Sequence, residues 1–340
     1  MFYYIVLLFI VLLLEFFDSK VKNNKDLFFK ICILIIILFS GLRYYIGWDY
    51  KAYYDTIAFG IDTNIYSKRE WLNYSLINIT RNLFWPEFYF MFTSFVSIFL
   101  IGKTIKKYSV DKWMSIYLYL TFPLFFLNSL SVIRNFMAIA ITVYSTRYII
   151  DRKLFRFIIA IIIAAGFHQS AYIAILLYPI ANIKLNKKLY FLFLAIIPLM
   201  KNTILAGMNK ILPYYYVYLT ETTNKEGRFG VIVILLLLIS ILMIDKKMIN
   251  DNIYNQFFNF YFMGCLIYAI FFKYGTLGHR LSLYGSIYMI FIIPFFMDNF
   301  KNRTKIFLKL ILWVMYFLFY IYTILRGSAT YLPYRIILPW

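Results

Sequence analysis

The sequence predicts an all-α integral membrane protein, and three observations support this prediction. Hydrophobic residues make up 63% of the 340 residues and charged residues only 15%, whereas soluble domains are about half apolar and about a quarter charged. The apolar residues form twelve runs, many of them close to the roughly 20 residues that a helix needs to cross a bilayer. Tyr (33 residues) and Phe (37 residues) are abundant, and Tyr suits the headgroup level of a membrane. We expect residues 1–340 to form a single integral membrane domain with about twelve spanning segments.

The apolar runs predict the spanning helices in chain order. Residues 2–17 have no preceding basic region and no following small-residue cleavage site, so we expect a retained helix rather than a signal peptide. The short runs 154–167 and 169–182 predict either two crossings that meet at His168 or one bent or re-entrant hairpin, which leaves the number of spans open by about two. The runs cover residues 2–17, 27–42, 86–102, 113–130, 132–150, 154–167, 169–182, 189–207, 229–244, 253–272, 281–297 and 306–325.

The basic residues predict the orientation of the chain. Six alternate loops hold 21 of the 35 Lys and Arg residues, and the positive-inside rule places these loops in the cytoplasm and both termini outside it. The net charge of +20 is thereby explained without a nucleic-acid partner. The main extracytoplasmic segments are then 43–85, in which 71–84 predicts an interfacial helix, and 208–228. The six loops are 18–30, 103–112, 147–156, 182–188, 245–251 and 298–309.

The two predicted sides of the membrane differ in the type of cation. The cytoplasmic loops hold 17 Lys and 4 Arg, whereas the opposite side holds 6 Lys and 8 Arg. The guanidinium group of arginine is planar, and its N–H donors match the oxygens of a phosphate or carboxylate. It also stays ionised when it is partly desolvated. The bias therefore indicates phosphate recognition outside the cytoplasm, with chance as the alternative because the counts are small.

The segment 43–55, RYYIGWDYKAYYD, follows the second run at the predicted outer surface. Arg43 and Asp49 flank a glycine within it. Aromatic faces and a carboxylate are the groups that bind a sugar ring. The alternative is an aromatic belt with one surface ion pair. The neighbouring aromatic residues are Tyr44, Tyr45, Tyr50, Tyr53 and Tyr54.

Two further polar positions interrupt apolar sequence on the same predicted side. Arg134, followed by Asn135, lies at the outer end of the fifth run, where an arginine is costly unless it is paired or faces a polar cavity; the alternative is that it snorkels to the headgroups. His168 lies between two short runs beside Gln169 and Ser170. Its imidazole is a candidate general base, and the alternative is a buried structural histidine.

The late part of the chain adds cations and aromatic residues on this side. The segment 273–284, KYGTLGHRLSLY, begins the eleventh run. Arg326 and Arg335 lie in the C-terminal segment. In 273–284 the candidate ligands of a phosphate or sugar are Lys273, His279, Arg280 and Tyr284.

The sequence predicts neither a metal site nor a cofactor. The acidic residues on the outer side form no DxD or DxxD cluster, so we expect no bound divalent metal. Cys32 and Cys265 lie inside apolar runs and are interpreted as small hydrophobic core residues. The outer groups together predict a cationic, aromatic cavity whose ligand is a lipid anion that carries sugar, such as a polyprenyl pyrophosphate.

Three blocks of the sequence resemble one family. GLRYYIGWDYKAYY resembles the R-Y-x-x-G-x-D-Y signature of EpsG/Wzy-type polysaccharide polymerases. RNFMAIAITVYSTRYIIDRKLFRFIIAIIIAAGFHQSAYI is similar to the R-[QN]-x-x-A block and the F-H-x-S-A segment of that family. HRLSLYGSIYMIFIIP resembles its late R-x-x-x-Y block. The three blocks occur in the order of the family over about residues 38–295.

The resemblance implies an extracytoplasmic glycosyltransferase of the cytoplasmic (inner) membrane that polymerises oligosaccharide repeat units linked to undecaprenyl pyrophosphate. Its implied partners are this lipid-linked glycan as donor and acceptor, a chain-length regulator and a flippase. Position 135 is Asn where the family more often has Gln. Arg326 and Arg335 match no family motif and are candidates from charge placement alone. The matched positions are Arg43, Gly47, Asp49, Arg134, Phe167, His168 and Arg280.

The mechanism expected from this resemblance needs cations at the leaving pyrophosphate and a base at the acceptor hydroxyl. We expect Arg134 and Arg280 at the pyrophosphate with support from Arg43, and no metal. Asp49 and His168 are alternative bases between which the sequence does not decide. A flippase or transporter of the same lipid, an O-antigen-ligase-like transferase and a non-enzymatic scaffold are the alternative functions.

Overall fold

The computed structural model of the protein describes residues 1–21, 26–61, 68–211, 229–271 and 275–337. Within these ranges the regular structure is helical, apart from one isolated antiparallel bridge between Arg43 and Ile336. The prediction of an all-α protein is confirmed for the described residues. Lys273 and most of the predicted segment 208–228 lie outside them.

The first half of the chain alternates long apolar helices with short amphipathic ones. The predicted runs and the interfacial pattern at 71–84 each become one helix or one broken pair of helices. The helices are α1 (Phe2–Lys20), α2 (Leu27–Gly41), α3 (Tyr50–Phe59), α4 (Trp71–Leu83), α5 (Glu87–Tyr108), α6 (Lys112–Thr121), α7 (Phe126–Ser129), α8 (Ile133–Ile150) and α9 (Leu154–Phe167).

The second half begins with a short 3₁₀ helix that continues the chain after α9. The remaining apolar runs again coincide with helices. The elements are the 3₁₀ helix (Gln169–Leu176), α10 (Leu177–Ile180), α11 (Lys187–Leu199), α12 (Lys201–Ile211), α13 (Phe229–Met243), α14 (Lys246–Asn250), α15 (Asn252–Ile270), α16 (Gly275–Ser286), α17 (Met289–Asp298), α18 (Asn302–Arg326) and α19 (Ser328–Tyr331).

Several predicted spans are broken helices. The fourth run divides because α6 ends where Phe122 is extended (φ −73°, ψ 124°), the conformation that the following Pro123 favours. The eighth run divides into α11 and α12, which meet at an angle of 62°, just after Pro198 in the last turn of α11. Proline removes a helical hydrogen bond and crowds the preceding turn, so a bend at this point is expected.

Four helical segments among the described residues are long and apolar enough to cross a membrane, or five if the bent pair α11–α12 counts as one span. Other apolar helices are shorter, with 10–17 residues. The structure therefore supports a protein with several spans, and the number of twelve stays a prediction. The four segments are Phe2–Lys20, Glu87–Tyr108, Gly278–Asp298 and Asn302–Arg326.

The six predicted cytoplasmic loops, which together hold 17 Lys and 4 Arg and are called the lysine-rich loops below, meet at one end of the helix bundle. Lys112 Nζ lies 3.1 Å from an Asp18 oxygen and 2.5 Å from an Asp26 oxygen, which joins the first two loops. Lys309 Nζ contacts Asp111 at 2.9 Å and adds the last loop. Lys247 donates to Asn299 Oδ1 at 2.9 Å and adds the fifth. The third and fourth loops join the fifth around a surface cavity lined by Ile150, Arg152, Asn182, Asp251, Asn252, Ile253 and Gln256.

The bundle has a buried centre and a periphery rich in exposed apolar side chains. In the segment Gly278–Asp298, 89% of the span is buried, against 17% in Asn302–Arg326, so α16–α17 is central and α18 faces the surroundings. The centre is packed tightly, because a Cβ on Gly264 would lie 2.1 Å from Ser286 N and one on Gly285 would lie 2.3 Å from Phe260 O. These glycines allow the backbones of α15 and α16 to touch. Because α15 begins directly after the basic loop 245–251 and runs for 19 residues away from it, α16 begins at the opposite end of the bundle.

Candidate active site

The loop between α2 and α3 is anchored by Arg43. The guanidinium is buried, with 1% of the residue exposed, and donates to Ile46 O at 3.2 Å, to Ser94 Oγ at 3.2 Å and to Leu130 O at 3.3 Å. It also donates to Ser40 O. Most of its donors are therefore used within the fold, and the structure does not bring Arg43 into the cleft described below. These contacts indicate a structural role for Arg43, and its contact with pyrophosphate stays a prediction.

Gly47 and Trp48 fasten the same loop to the segment before α8. Gly47 has φ +109°, and a Cβ there would lie 2.0 Å from Leu130 O, so only glycine allows this approach. The Trp48 N–H donates to Ser131 Oγ at 3.2 Å. These contacts therefore place Asp49, at the start of α3, opposite Arg134 in the first turn of α8.

A narrow cleft of about 10 Å³ lies at the end of the bundle that holds Asp49 and the first turn of α8. The four residues predicted to be catalytic converge on it from four separate parts of the chain. It is lined by Asp49, Tyr53, Val132, Arg134, Asn135, His168 and Arg280.

Asp49 is half-buried, and its carboxylate forms no hydrogen bond or ion pair with the described residues. Burial raises the pKa of this carboxyl, and the guanidinium groups of Arg280 and Arg134 oppose the rise. A carboxylate that no protein donor stabilises is a better proton acceptor than one in an ion pair.

Arg280 is the counterpart of Asp49 across the cleft. It forms no ion pair within the described part of the chain, and its Nε is buried without a hydrogen-bond partner there. Buried donors normally find a partner, so an unpartnered guanidinium N–H beside a cleft is typical of a ligand-binding group. Arg280 can therefore accept an anionic ligand without first breaking a protein contact.

Arg134 is held by Glu70, which the sequence analysis did not select. The two side chains form an ion pair in which the exposed fraction is 15% for Arg134 and 9% for Glu70. The Arg134 guanidinium also lies 6.0 Å from the centre of the Tyr53 ring. The sequence contained a signal that could have indicated Glu70 as a site residue, because it directly precedes the amphipathic pattern at 71–84 on the predicted outer side. Pairing with a particular arginine, however, depends on tertiary structure.

The other oxygen of Glu70 connects it to the histidine segment. Glu70 Oε1 accepts the Gln169 N–H at 3.2 Å. Burial raises the pKa of Glu70, while Arg134 and this N–H oppose the rise. One carboxylate thus contacts both the first turn of α8 and the residue that follows His168.

His168 is extended (φ −152°, ψ 121°) and ends α9. Its Nδ1 accepts the Ser170 N–H at 3.2 Å and lies 2.6 Å from Ser170 Oγ. In a neutral imidazole, an Nδ1 that accepts leaves the proton on Nε2. The hydrogen bonds therefore favour a neutral histidine whose Nε2 is a donor.

Ser170 links three of the elements around the cleft. Its Oγ contacts Asn135 Oδ1 at 3.1 Å and Tyr284 Oη at 3.0 Å. Asn135 Nδ2 in turn lies 3.5 Å from Arg280 O. This network ties α8, the 3₁₀ helix and α16 together. The predicted ligands Asn135 and Tyr284 take part in it through their contacts with Ser170.

The remaining predicted ligands lie outside the residues that line the cleft. His279 lies 3.4 Å from Asn128 Nδ2 through its Nε2. Tyr44 and Tyr54 belong to an aromatic cluster, with their ring centroids 6.4 Å apart. Arg326 and Arg335 are exposed. Of the predicted tyrosines, Tyr53 lines the cleft and stacks on Tyr89 with a centroid distance of 5.0 Å.

Comparisons with known proteins identify one family. No curated protein and no solved structure matches the chain. The sequence model of the EpsG family matches residues 26–336, a range that contains every residue lining the cleft. The chain therefore belongs to the EpsG family.

Proposed function

We propose that the chain is an extracytoplasmic polymerase of oligosaccharide repeat units linked to undecaprenyl pyrophosphate, active in surface polysaccharide biosynthesis. Membership of the EpsG family indicates a polysaccharide polymerase-like function. The observation that carries the finer proposal is the cleft, in which a half-buried carboxylate without partners among the described residues faces two guanidinium groups. A glycosyl transfer with a diphosphate leaving group needs one proton acceptor and fixed cations.

The reaction joins two lipid-linked glycans. The donor is the growing glycan on undecaprenyl pyrophosphate, and the acceptor is the non-reducing end of a new lipid-linked repeat unit. An acceptor hydroxyl attacks the anomeric carbon of the donor, so a new carbon–oxygen bond forms as the bond to the pyrophosphate breaks. The hydroxyl proton passes to a base, and undecaprenyl pyrophosphate leaves with the bonding electron pair.

In this mechanism the arginines bind the leaving group. Arg280 has uncommitted donors and takes the pyrophosphate oxygens, on which negative charge grows in the transition state. Arg134 contributes its charge from the opposite wall of the cleft while it stays paired with Glu70. Arg134 is held by Glu70 before the substrate arrives, so little energy is lost in reorganising it.

Asp49 is the base in this proposal, and His168 is a hydrogen-bond donor. The Nδ1 of His168 is occupied by the Ser170 N–H, so its neutral form offers an N–H at Nε2 rather than a lone pair. Asp49 has a free carboxylate and a raised pKa. Both properties favour proton abstraction from a hydroxyl.

The sidedness of the reaction follows from the two ends of the bundle. The cleft lies at the end opposite the lysine-rich loops, and the positive-inside rule assigns those loops to the cytoplasm. The cleft then faces the periplasm or cell exterior, where neither ATP nor nucleotide sugars are available. A chain-length regulator and a flippase are the partners that we propose for such a polymerase.

The alternative functions predict different arrangements or products. A flippase or transporter would place charges at mid-membrane depth along a path, whereas Asp49, Arg134 and Arg280 gather at one end of the bundle. A ligase shares the chemistry but transfers a finished glycan once. A scaffold performs no transfer.

Product analysis tests the proposal. Purified protein in detergent or liposomes receives lipid-linked repeat units, and the products are separated by size. A polymerase gives a ladder with a spacing of one repeat unit. Transfer in a single step to a different acceptor indicates a ligase, and unchanged substrate in the presence of folded protein contradicts the proposal.

A further inference from the structure

Glu70 makes contacts that go beyond those of an ordinary surface carboxylate. Only 7% of the residue is exposed, and its two oxygens contact Arg134 and the Gln169 N–H. It immediately precedes α4, whose first residues pack against Gly166 of α9. The carboxylate is therefore held at a junction of three elements, which are α4, α8 and the segment after α9.

The charges around the cleft show what this carboxylate does to its neighbours. Two guanidinium groups, Arg134 and Arg280, act on Asp49. Glu70 pairs with Arg134, whereas no described acidic residue forms an ion pair with Arg280. The two arginines therefore differ, since Arg134 is compensated and Arg280 is available to an anionic ligand.

We propose that Glu70 is a positioning residue, which holds Arg134 and the backbone after His168 in place and whose negative charge keeps Asp49 an effective proton acceptor. This inference rests on the proposed function. Glu70 itself touches no reacting atom in the mechanism above. It acts on the reaction by orienting the Arg134 side chain and by the effect of its negative charge on Asp49.

The effect of the Glu70 charge on Asp49 has a definite sign. The charged and titratable groups that line the cleft with Asp49 are Arg134 on α8, Arg280 on α16, His168 after α9 and Tyr53 on α3. Glu70, before α4, is paired with Arg134. Arg134 and Arg280 lower the pKa of Asp49 against the larger, raising effect of burial. Glu70 offsets part of the positive charge of Arg134, so without the Glu70 charge Arg134 lowers the pKa of Asp49 further. A base with a lower pKa accepts the acceptor proton less readily.

The experiment compares Glu70→Gln with the wild-type protein in the purified polymerisation assay across pH. Gln keeps the size of the side chain and an oxygen for the Gln169 N–H, so the variant is expected to fold. We expect kcat to fall about tenfold or more and the acid limb of the pH–rate profile to move to lower pH by about 0.5 unit or more. Glu87→Gln is the matched control, because it removes the same charge on the same side of the bundle outside the cleft, and its profile should coincide with that of wild type.

A second variant separates charge from position. Glu70→Asp keeps the charge and shortens the reach, so kcat should fall while the acid limb stays where it is in wild type. If Glu70→Gln has wild-type kcat and a wild-type acid limb, or if Glu70→Asp moves the limb as far as Glu70→Gln, the inference is wrong. Failure of the wild-type protein itself to form polymer would instead reject the proposed function, so the two failures are distinguishable.

Discussion

At the scale of single residues, the chemistry depends on which polar groups the fold leaves without partners. Arg43 uses most of its guanidinium donors on backbone carbonyls and Ser94, and Arg134 is paired with Glu70. Arg280 has a buried Nε without a partner among the described residues, and the carboxylate of Asp49 is likewise uncommitted. The unpaired groups are those that a substrate can satisfy.

Replacement of Arg280 tests the leaving-group contact. Arg280→Ala should lower kcat about 10²- to 10³-fold, the loss typical of one fixed donor at a site of developing charge. Cells with this variant should display single repeat units at the surface without polymer, measured by size analysis of the extracted glycan. Arg81→Ala removes an exposed arginine of α4 and should leave the polymer unchanged. Full-length polymer from Arg280→Ala would contradict the assignment.

Replacement of Asp49 tests the base. Asp49→Asn should lower kcat about 10²- to 10⁴-fold with little change in substrate binding, while Asp55→Asn on the same helix should behave as wild type. Because the base must be ionised, wild-type activity should decline as pH falls through a raised pKa of Asp49. An acid limb that persists in the residual activity of Asp49→Asn would show that another group is the base.

The sequence was sufficient to predict site residues whose type and predicted side of the membrane identify them. Asp49, Arg134, His168 and Arg280 each interrupt or flank an apolar run, and they line one cleft. The sequence was insufficient where function depends on a partner that is distant in sequence. Glu70 was missed because its pairing with Arg134 spans 64 residues, and the burial of Arg43 could not be read from an RYYIG segment.

At the scale of elements, the site depends on a tight loop and a short 3₁₀ helix more than on the long spans. The loop carrying Asp49 approaches Leu130 through Gly47, and the 3₁₀ helix starts at Gln169, where Glu70 holds the backbone. Apolar runs locate the apolar helices well, because a helix in lipid needs continuous apolar sequence. They do not reveal where a run such as 169–182 will form a 3₁₀ helix instead of a continuous span, since that choice is made by contacts with α8 and α16.

Gly47 provides a test of the loop. Gly47→Ala places a Cβ 2.0 Å from Leu130 O at φ +109°, so the loop must move or unfold at a cost of about 1–3 kcal/mol. We expect a lower unfolding temperature and a loss of polymerisation that exceeds the loss of folded protein. Gly207→Ala is the control, because a Cβ there meets nothing within 4 Å and alanine favours the helix. Wild-type activity in Gly47→Ala would show that the position of the loop is unimportant.

At the scale of the whole molecule, the bundle separates two kinds of surface. Lysine-rich loops gather at one end, joined by contacts such as Lys309 to Asp111 and Lys112 to Asp18, and the cleft occupies the other. The interior between them is apolar and closely packed, with glycines where α15 and α16 touch. Such a separation suits an enzyme that binds lipid-linked glycans on one face of a membrane.

Cysteine labelling tests the sidedness. Both natural cysteines, Cys32 and Cys265, are buried and should give little background. Ser328→Cys, at the cleft end, should react with a membrane-impermeant maleimide in intact cells, whereas Val110→Cys, at the lysine-rich end, should react only after permeabilisation. Both positions are exposed. The reverse pattern would place the cleft in the cytoplasm and contradict an extracytoplasmic reaction.

The most direct test of the proposed reaction measures the released undecaprenyl pyrophosphate and the glycosidic bonds formed in the same assay. Purified wild-type protein with lipid-linked repeat units should release one undecaprenyl pyrophosphate for each glycosidic bond formed, and products should grow by whole repeat units. Arg280→Ala and Asp49→Asn should lower release and bond formation in equal proportion. Polymer formed without matching release of undecaprenyl pyrophosphate, or undiminished release from both variants, would contradict the proposed reaction at this cleft.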